Sequence, residues 1–64
     1  MNNRLKVIRA VQGVTQFKLY LKTKINAGKI SLIENDLIQP SEAEKQKLSR
    51  ALGVKPEEIF PEAR

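Results

Sequence analysis

Few side chains in this sequence are suited to covalent chemistry. The 64 residues include no His and no Cys, which removes the usual general base, the thiol nucleophile and zinc sites built on those ligands. Ser31 and Glu34 stand one helical turn apart, but a serine nucleophile needs a base to take its proton, and His is absent. We therefore expect a protein that is not an enzyme and that holds no metal ion or cofactor.

Charge is the most informative chemical property of the sequence. The chain has 12 basic and 7 acidic residues and a net charge of +5. Before Glu34 it has seven basic residues and no acidic one, whereas from Glu34 to Arg64 five basic residues stand against seven acidic ones. The basic residues of the first half are Arg4, Lys6, Arg9, Lys18, Lys22, Lys24 and Lys29. A half of one sign favours a polyanionic partner, nucleic acid or an anionic membrane surface, although an ordinary solvated face gives the same pattern.

Nucleic acid is the favoured partner because no apolar run approaches the roughly 18 residues of a membrane span. The apolar pair Val7-Ile8 is followed at once by Arg9, so no signal-peptide core forms. We expect a cytoplasmic protein that does not enter a membrane. A chain of 64 residues is also too short for two independent cores, so residues 1–64 should form one domain.

Capping residues and helix breakers divide the chain into five short helices. The predicted helix starts are Asn2 or Asn3, Thr15, Asn26, Ser41 with Glu44 as a capping box, and Pro56. The predicted stops are Gly13, Asn35-Asp36, Gly53-Val54 and Pro61. The second helix should run from Gln16 to about Lys22 and the third from Ala27 to Glu34.

Apolar residues at helical spacing predict which side chains form the core. They are Leu5, Ile8, Val11, Leu19, Ile30, Ile33, Leu48, Ala51, Leu52, Ile59 and Phe60. Phe17 and Tyr20 are also expected to be packing residues, because binders of single strands usually display several aromatic side chains on a sheet. No segment alternates with period two for long enough to be a strand, so the fold class should be all-α.

The second and third helices, joined by only a few residues, are a candidate helix-turn-helix. Here the chain resembles the Cro and phage-repressor (XRE-type) family of DNA-binding domains over nearly its whole length. The matching segments are Arg4-Leu5-Lys6, Ile8-Arg9, Gly13-Val14-Thr15-Gln16, Leu19, Ile25, Lys29-Ile30-Ser31, Ile33-Glu34-Asn35, Pro40-Ser41, Ala51-Leu52-Gly53-Val54 and Glu58-Ile59-Phe60. The resemblance implies a compact five-helix, lambda-repressor-like domain that binds double-stranded DNA as a small transcriptional regulator, a repressor acting as a homodimer.

The resemblance also implies a role for individual residues. The helix that begins at Ala27 is similar to the family's recognition helix, which places Ala27, Gly28, Ser31 and Leu32 toward base edges in the major groove. Gln16 and Asn35 resemble phosphate contacts, and Arg9 with Glu34 resembles an ion pair between the first and third helices. From their charge, Lys24 and Lys29 are expected to neutralise phosphates. Asn26 is a candidate DNA contact as well as the cap of the third helix.

One departure from the family pattern and the chemistry of the predicted recognition residues both bear on this function. Lys24 stands where the family usually has Gly, and a left-handed backbone there would cost a residue with a Cβ about 1 kcal/mol. Ala27, Gly28 and Leu32 supply none of the paired hydrogen bonds that discriminate bases, so direct readout should be weak.

The apolar Leu37-Ile38 step in the following loop suggests burial against a partner or simple docking on the fourth helix. We expect a homodimer through Leu37, Ile38 and the C-terminal region. The alternative function is the same fold used as a protein-protein interaction or antitoxin-like module, with weak or no specific DNA binding.

Overall fold

Five α-helices and their connections make up residues 3–61, the part of the chain that the computed structural model describes. The helices are α1 Leu5–Val11, α2 Gln16–Thr23, α3 Ala27–Glu34, α4 Glu42–Leu52 and α5 Pro56–Ile59. They form a compact body of 27 × 20 × 19 Å. No strand occurs between residues 3 and 61, so the all-α prediction is confirmed for this range.

Side-chain caps start three of the helices where the sequence predicts them. The Thr15 hydroxyl accepts from a backbone amide of α2 at 3.0 Å, and the Asn26 side-chain oxygen accepts from one of α3 at 2.7 Å. At α4 the capping box is complete, since the Glu44 amide donates to the Ser41 hydroxyl at 3.1 Å and the Ser41 amide donates to the Glu44 carboxylate at 2.9 Å. These bonds satisfy amides that a helix leaves without an internal partner, which fixes where each helix begins.

Glycines with a left-handed backbone end α1 and α4. Gly13 has φ 70° and Gly53 has φ 68°. The amide of Val14 returns to the Arg9 carbonyl at 2.9 Å, and the amide of Val54 returns to the Ser49 carbonyl at 3.1 Å. These are the bonds of a Schellman motif, as the sequence predicts for Gly53-Val54.

The start and the outer face of α1 differ from the prediction. Arg4 is the residue at the cap position and makes no capping bond with its side chain, while the Asn3 side-chain oxygen accepts from the Leu5 amide at 3.0 Å. The other predicted cap, Asn2, lies outside the described residues. Val11 is 80% exposed, so its assignment to the core is wrong. At 100° per residue, Val11 lies well away from Leu5, the buried residue of this helix.

The core lies where α2 packs against α3 and α4, and where α4 packs against α5. It consists of Leu5, Leu19, Ile25, Ile30, Ile33, Leu48, Leu52, Ile59 and Phe60. Thr23 is buried among these side chains, with its hydroxyl donating to the Leu19 carbonyl at 2.8 Å and accepting from the Ile25 amide at 3.1 Å. Because both bonds are internal, this polar group is buried without a lost hydrogen bond.

None of the helices between residues 3 and 61 has the length and hydropathy that crossing a bilayer requires. The longest of them, α4, has 11 residues.

Candidate nucleic-acid interface

A tight three-residue connection, Lys24–Asn26, sets α3 against α2. Lys24 adopts the left-handed conformation with φ 64° and ψ 14°, and its amide donates to the Tyr20 carbonyl at 2.7 Å. Ile25 then turns into the core, where it is 5% exposed. The third helix starts directly after this turn and packs against α2, with Gly28 of its first turn exposed.

The two sides of α3 differ sharply in burial. Ile30 and Ile33 are completely buried. Among the residues predicted to face base edges, Gly28 and Leu32 are exposed, with Leu32 at 41%, whereas Ala27 and Ser31 are half-buried. The helix thus presents a smooth outer face of small and apolar side chains, with the Ser31 hydroxyl at its edge.

The cap of α3 lies close to Gly28, a contact that the sequence did not reveal. A Cβ placed at this residue would lie 3.0 Å from Oδ1 of Asn26, the atom that caps α3. A larger residue at 28 would therefore require the Asn26 side chain to shift by a few tenths of an ångström from its capping position. The side-chain oxygen of Asn26 is occupied by this capping bond.

The Glu34 carboxylate on α3 is bonded to side chains of both α1 and α2. The Glu34 side chain is 3% exposed and accepts from Arg9 Nε at 2.6 Å and from Gln16 Nε2 at 2.9 Å. The predicted Arg9–Glu34 ion pair is confirmed. Gln16, predicted to contact phosphate, has its side-chain amide turned toward this carboxylate. The sequence indicated the ion pair, because Glu34 is the first acid after the basic half of the chain. No sequence pattern indicated that Gln16 also donates to Glu34.

The basic side chains near α3 are not equally free. Lys29 Nζ lies 2.5 Å from Glu44 Oε2, so part of its charge is neutralised within the fold. The hydrogen bond from Lys29, followed by that from the Ser41 amide, holds the pKa of Glu44 below its ordinary value of 4.5. Lys24 and Lys18 are exposed, and neither has an ion-pair partner among residues 3–61.

Asn35, the second predicted phosphate contact, is exposed at the end of α3. Its Nδ2 donates to the Ser31 carbonyl at 2.9 Å, one turn back in the same helix. The predicted site residues from Lys24 to Asn35 therefore share one helix and its preceding turn. Of these residues, Lys29 is bound to Glu44, while Gln16 on α2 is bound to Glu34.

Exposed apolar side chains on α2 were missed. Phe17 is 62% exposed and Leu21 is 49% exposed, so the prediction that Phe17 is a packing residue is wrong. Its ring lies 6.1 Å from that of Tyr20, which is 37% exposed. The helical period carried this signal, because residues 17 and 21 fall on the side of α2 opposite the buried Leu19.

A scan against models of known protein families finds none that matches the chain, and no curated protein matches it either.

Proposed function

We propose that this protein binds double-stranded DNA as a small transcriptional regulator, with α2, the Lys24–Asn26 turn and α3 acting as a helix-turn-helix. The observation that carries the proposal is the exposed outer face of α3, which presents no acidic side chain and follows a turn that holds Lys24, a lysine without an ion-pair partner among residues 3–61. The one acid of α3, Glu34, is 3% exposed and paired with Arg9. A helix of this kind, with its N-terminus at the surface, suits entry into a groove lined by phosphates.

Phosphate contacts supply most of the affinity in this proposal. Lys24 and Lys18 are exposed and without an ion-pair partner among the described residues, so both are available to neutralise phosphates. Lys29 contributes only where DNA competes with Glu44 for its ammonium group. Each phosphate neutralised adds about −0.9 to the slope of log K against log salt concentration.

Base recognition in this proposal is modest. Leu32 and Ala27 offer apolar contacts suited to thymine methyl groups, and Ser31 offers one hydroxyl. None of them forms the bidentate pairs that discriminate bases by about 1–3 kcal/mol each. Sequence selectivity therefore depends on methyl contacts and on the shape of the groove.

The direct test is a titration of fluorescently labelled duplex DNA, followed by anisotropy, at several salt concentrations. Lys24→Gln should weaken binding and reduce the magnitude of the salt slope by about 0.9, because one phosphate contact is lost. Gln keeps the strained backbone conformation, so the charge alone changes. Lys55→Gln is the matched control, since Lys55 is exposed at the start of α5 and should leave binding nearly unchanged.

A second pair of variants tests the outer face of α3. Leu32→Glu places an acid on that face and should weaken DNA binding at least about tenfold through repulsion of the phosphates. Val11→Glu puts the same charge on an exposed position of α1 and should have little effect. No binding by the wild-type protein at low salt, or equal losses in the two variants, would overturn the proposal.

A protein-interaction module is the second candidate, favoured by the exposed apolar side chains Phe17, Leu21 and Leu37. The homodimer contact expected through Leu37 and Ile38 would be part of this protein-interaction function. Leu37 is 68% exposed and available to a partner, whereas Ile38 is half-buried against the core. The rest of the expected contact, the C-terminal region, extends into residues 62–64, outside the described range. Absence of DNA binding together with self-association in sedimentation would favour this candidate.

A further inference from the structure

A second group of basic side chains lies away from α3. Lys22 on α2 and Lys47 and Arg50 on α4 line one shallow depression, with Ala51 as the fourth lining residue. None of these residues belongs to α3 or to the turn before it. Lys22 does, however, stand on α2, a helix of the proposed helix-turn-helix, two residues before Lys24.

The helices bring these cations together by register and packing. Lys47 and Arg50 are three residues apart and share a side of α4, while Ala51 next to them is small enough to leave a hollow. Lys22 comes from the last turn of α2, a helix that packs against α4. The cluster depends on the folded structure, because Lys22 and Lys47 stand 25 positions apart in the sequence.

No acidic side chain of the described residues neutralises this cluster. Lys22, Lys47 and Arg50 have no ion-pair partner between residues 3 and 61, where the other α4 cation, Lys45, pairs with Glu42. On the same side of α4, Glu44 is already bound to Lys29. Cations three residues apart on a helix repel each other, and an anion between them would relieve that repulsion.

Helix dipoles account for only part of the arrangement. Lys22 and Arg50 each stand in the last turn of a helix, where a positive charge is favourable. Lys47 is in the middle of α4, where the dipole offers no such benefit. Three cations thus line one depression, and none of them has an ion-pair partner among residues 3–61.

We propose that this depression binds the phosphate groups of a small, multiply phosphorylated molecule. Arg50 supplies the planar donor pair that suits a phosphate, and the two lysines supply point charges on either side. Because the depression is shallow and its cations are exposed, it would hold phosphate groups at the surface rather than enclose a whole ligand. Such a ligand would give a chain of this size a means of sensing a metabolite at a site separate from α3.

Inorganic tripolyphosphate is the probe for the test, because it carries several phosphate charges and no other recognition group. In a ¹⁵N-labelled sample at constant ionic strength, its titration should shift the amide signals of residues 22, 47, 50 and 51 first. It should also raise the thermal unfolding midpoint, since a ligand that binds only the folded chain stabilises it. Shifts spread over all lysines, or centred on the start of α3, would overturn the proposal.

The matched variants carry the same loss of two positive charges. Lys22→Gln with Lys47→Gln should weaken tripolyphosphate binding about tenfold, because two charge-assisted bonds are lost. Lys6→Gln with Lys55→Gln changes exposed lysines on α1 and before α5 and should leave it nearly unchanged. Equal weakening in both pairs would mean that the chain acts only as a polycation.

Binding of labelled duplex DNA shows whether the depression takes a small phosphorylated ligand or the phosphates of the DNA backbone. The Lys22→Gln, Lys47→Gln variant should bind duplex DNA as tightly as the matched control pair does. A greater loss of DNA affinity in this variant than in the control would assign the depression to the DNA backbone and overturn the small-ligand proposal. Because Leu32→Glu tests α3 separately, the DNA proposal and the anion-site proposal can fail independently.

Discussion

Replacing Lys24 with Gly tests one of the two described residues other than glycine that have a positive φ, the other being Asp36 at φ 60°. Lys24 has φ 64°, close to the φ 70° of Gly13 and the φ 68° of Gly53. A residue with a Cβ pays about 1 kcal/mol or slightly more in this conformation, whereas Gly does not. The Lys24 side chain is exposed, and the hydrogen bond from the backbone amide of residue 24 to the Tyr20 carbonyl remains after the change. The substitution therefore loses no described contact.

The size of the effect is best measured against a second Lys→Gly change. Gly also loosens the unfolded chain, which offsets about 0.4–1 kcal/mol of the gain, so Lys24→Gly alone should stabilise by up to about 1 kcal/mol. Lys22→Gly has the same effect on the unfolded chain but sits within α2, where Gly costs about 1 kcal/mol. The difference between the two variants, about 1–2 kcal/mol, therefore reports the native backbone at the two positions.

Urea and thermal unfolding followed by circular dichroism provide the assay. A gain of 1 kcal/mol should raise the midpoint of a domain this small by about 4–8 °C. Equal midpoints for Lys24→Gly and Lys22→Gly would refute the left-handed assignment at Lys24. If Lys24 also contacts phosphate, Lys24→Gly should lose DNA affinity while it gains stability, which would show that a functional charge occupies a position better suited to Gly.

Four further changes probe the caps, the ion pairs and the proposed dimer. Ser41→Ala should cost about 1 kcal/mol in urea unfolding because α4 loses its cap, and a loss no larger than that of an exposed surface change would contradict this. Glu34→Gln should cost on the order of 3 kcal/mol in the same assay, since it leaves a largely buried guanidinium without its charge partner, and an unchanged midpoint would count against the network. The lowered pKa of Glu44 means that its pair with Lys29 stabilises the fold above pH 4.5 and loses this contribution as the pH falls through the depressed value. Glu44→Gln should therefore narrow the gap in urea midpoint between pH 7 and pH 3, and an unaltered gap would rule that contribution out. Leu37→Asp should reduce dimerisation in sedimentation while the monomer stays folded, and an unchanged mass would argue against this contact.

Local chemistry made most of the helix boundaries predictable. Thr15, Asn26 and Ser41 each cap a helix through a bond to an amide two or three residues away. Gly13 and Gly53 end helices through backbone conformations that favour Gly. These interactions span only a few residues, so the sequence window that contains them is sufficient to predict them.

Partners brought together by packing were much harder to predict. The bonds from Gln16 to Glu34 and from Lys29 to Glu44 join residues 18 and 15 positions apart. Which lysine meets which carboxylate depends on how the helices are set against one another, and helical period alone does not give that. The error at Phe17 has another cause, since the helical period of α2 was enough to predict that this side chain is exposed.

The partners of individual cations change how the charge of the first half should be interpreted. Seven basic residues precede Glu34, but the fold brings Glu34 to Arg9 and Glu44 to Lys29. Two acids from the second half thus neutralise cations that the sequence leaves unopposed. The charge available to a polyanion is smaller than the sequence count of +7 for that half, and near α3 the exposed Lys18 and Lys24 supply it. A shallow salt slope for DNA is therefore the result consistent with this fold, since only unpaired cations near α3 release counterions from phosphate without first breaking an internal ion pair.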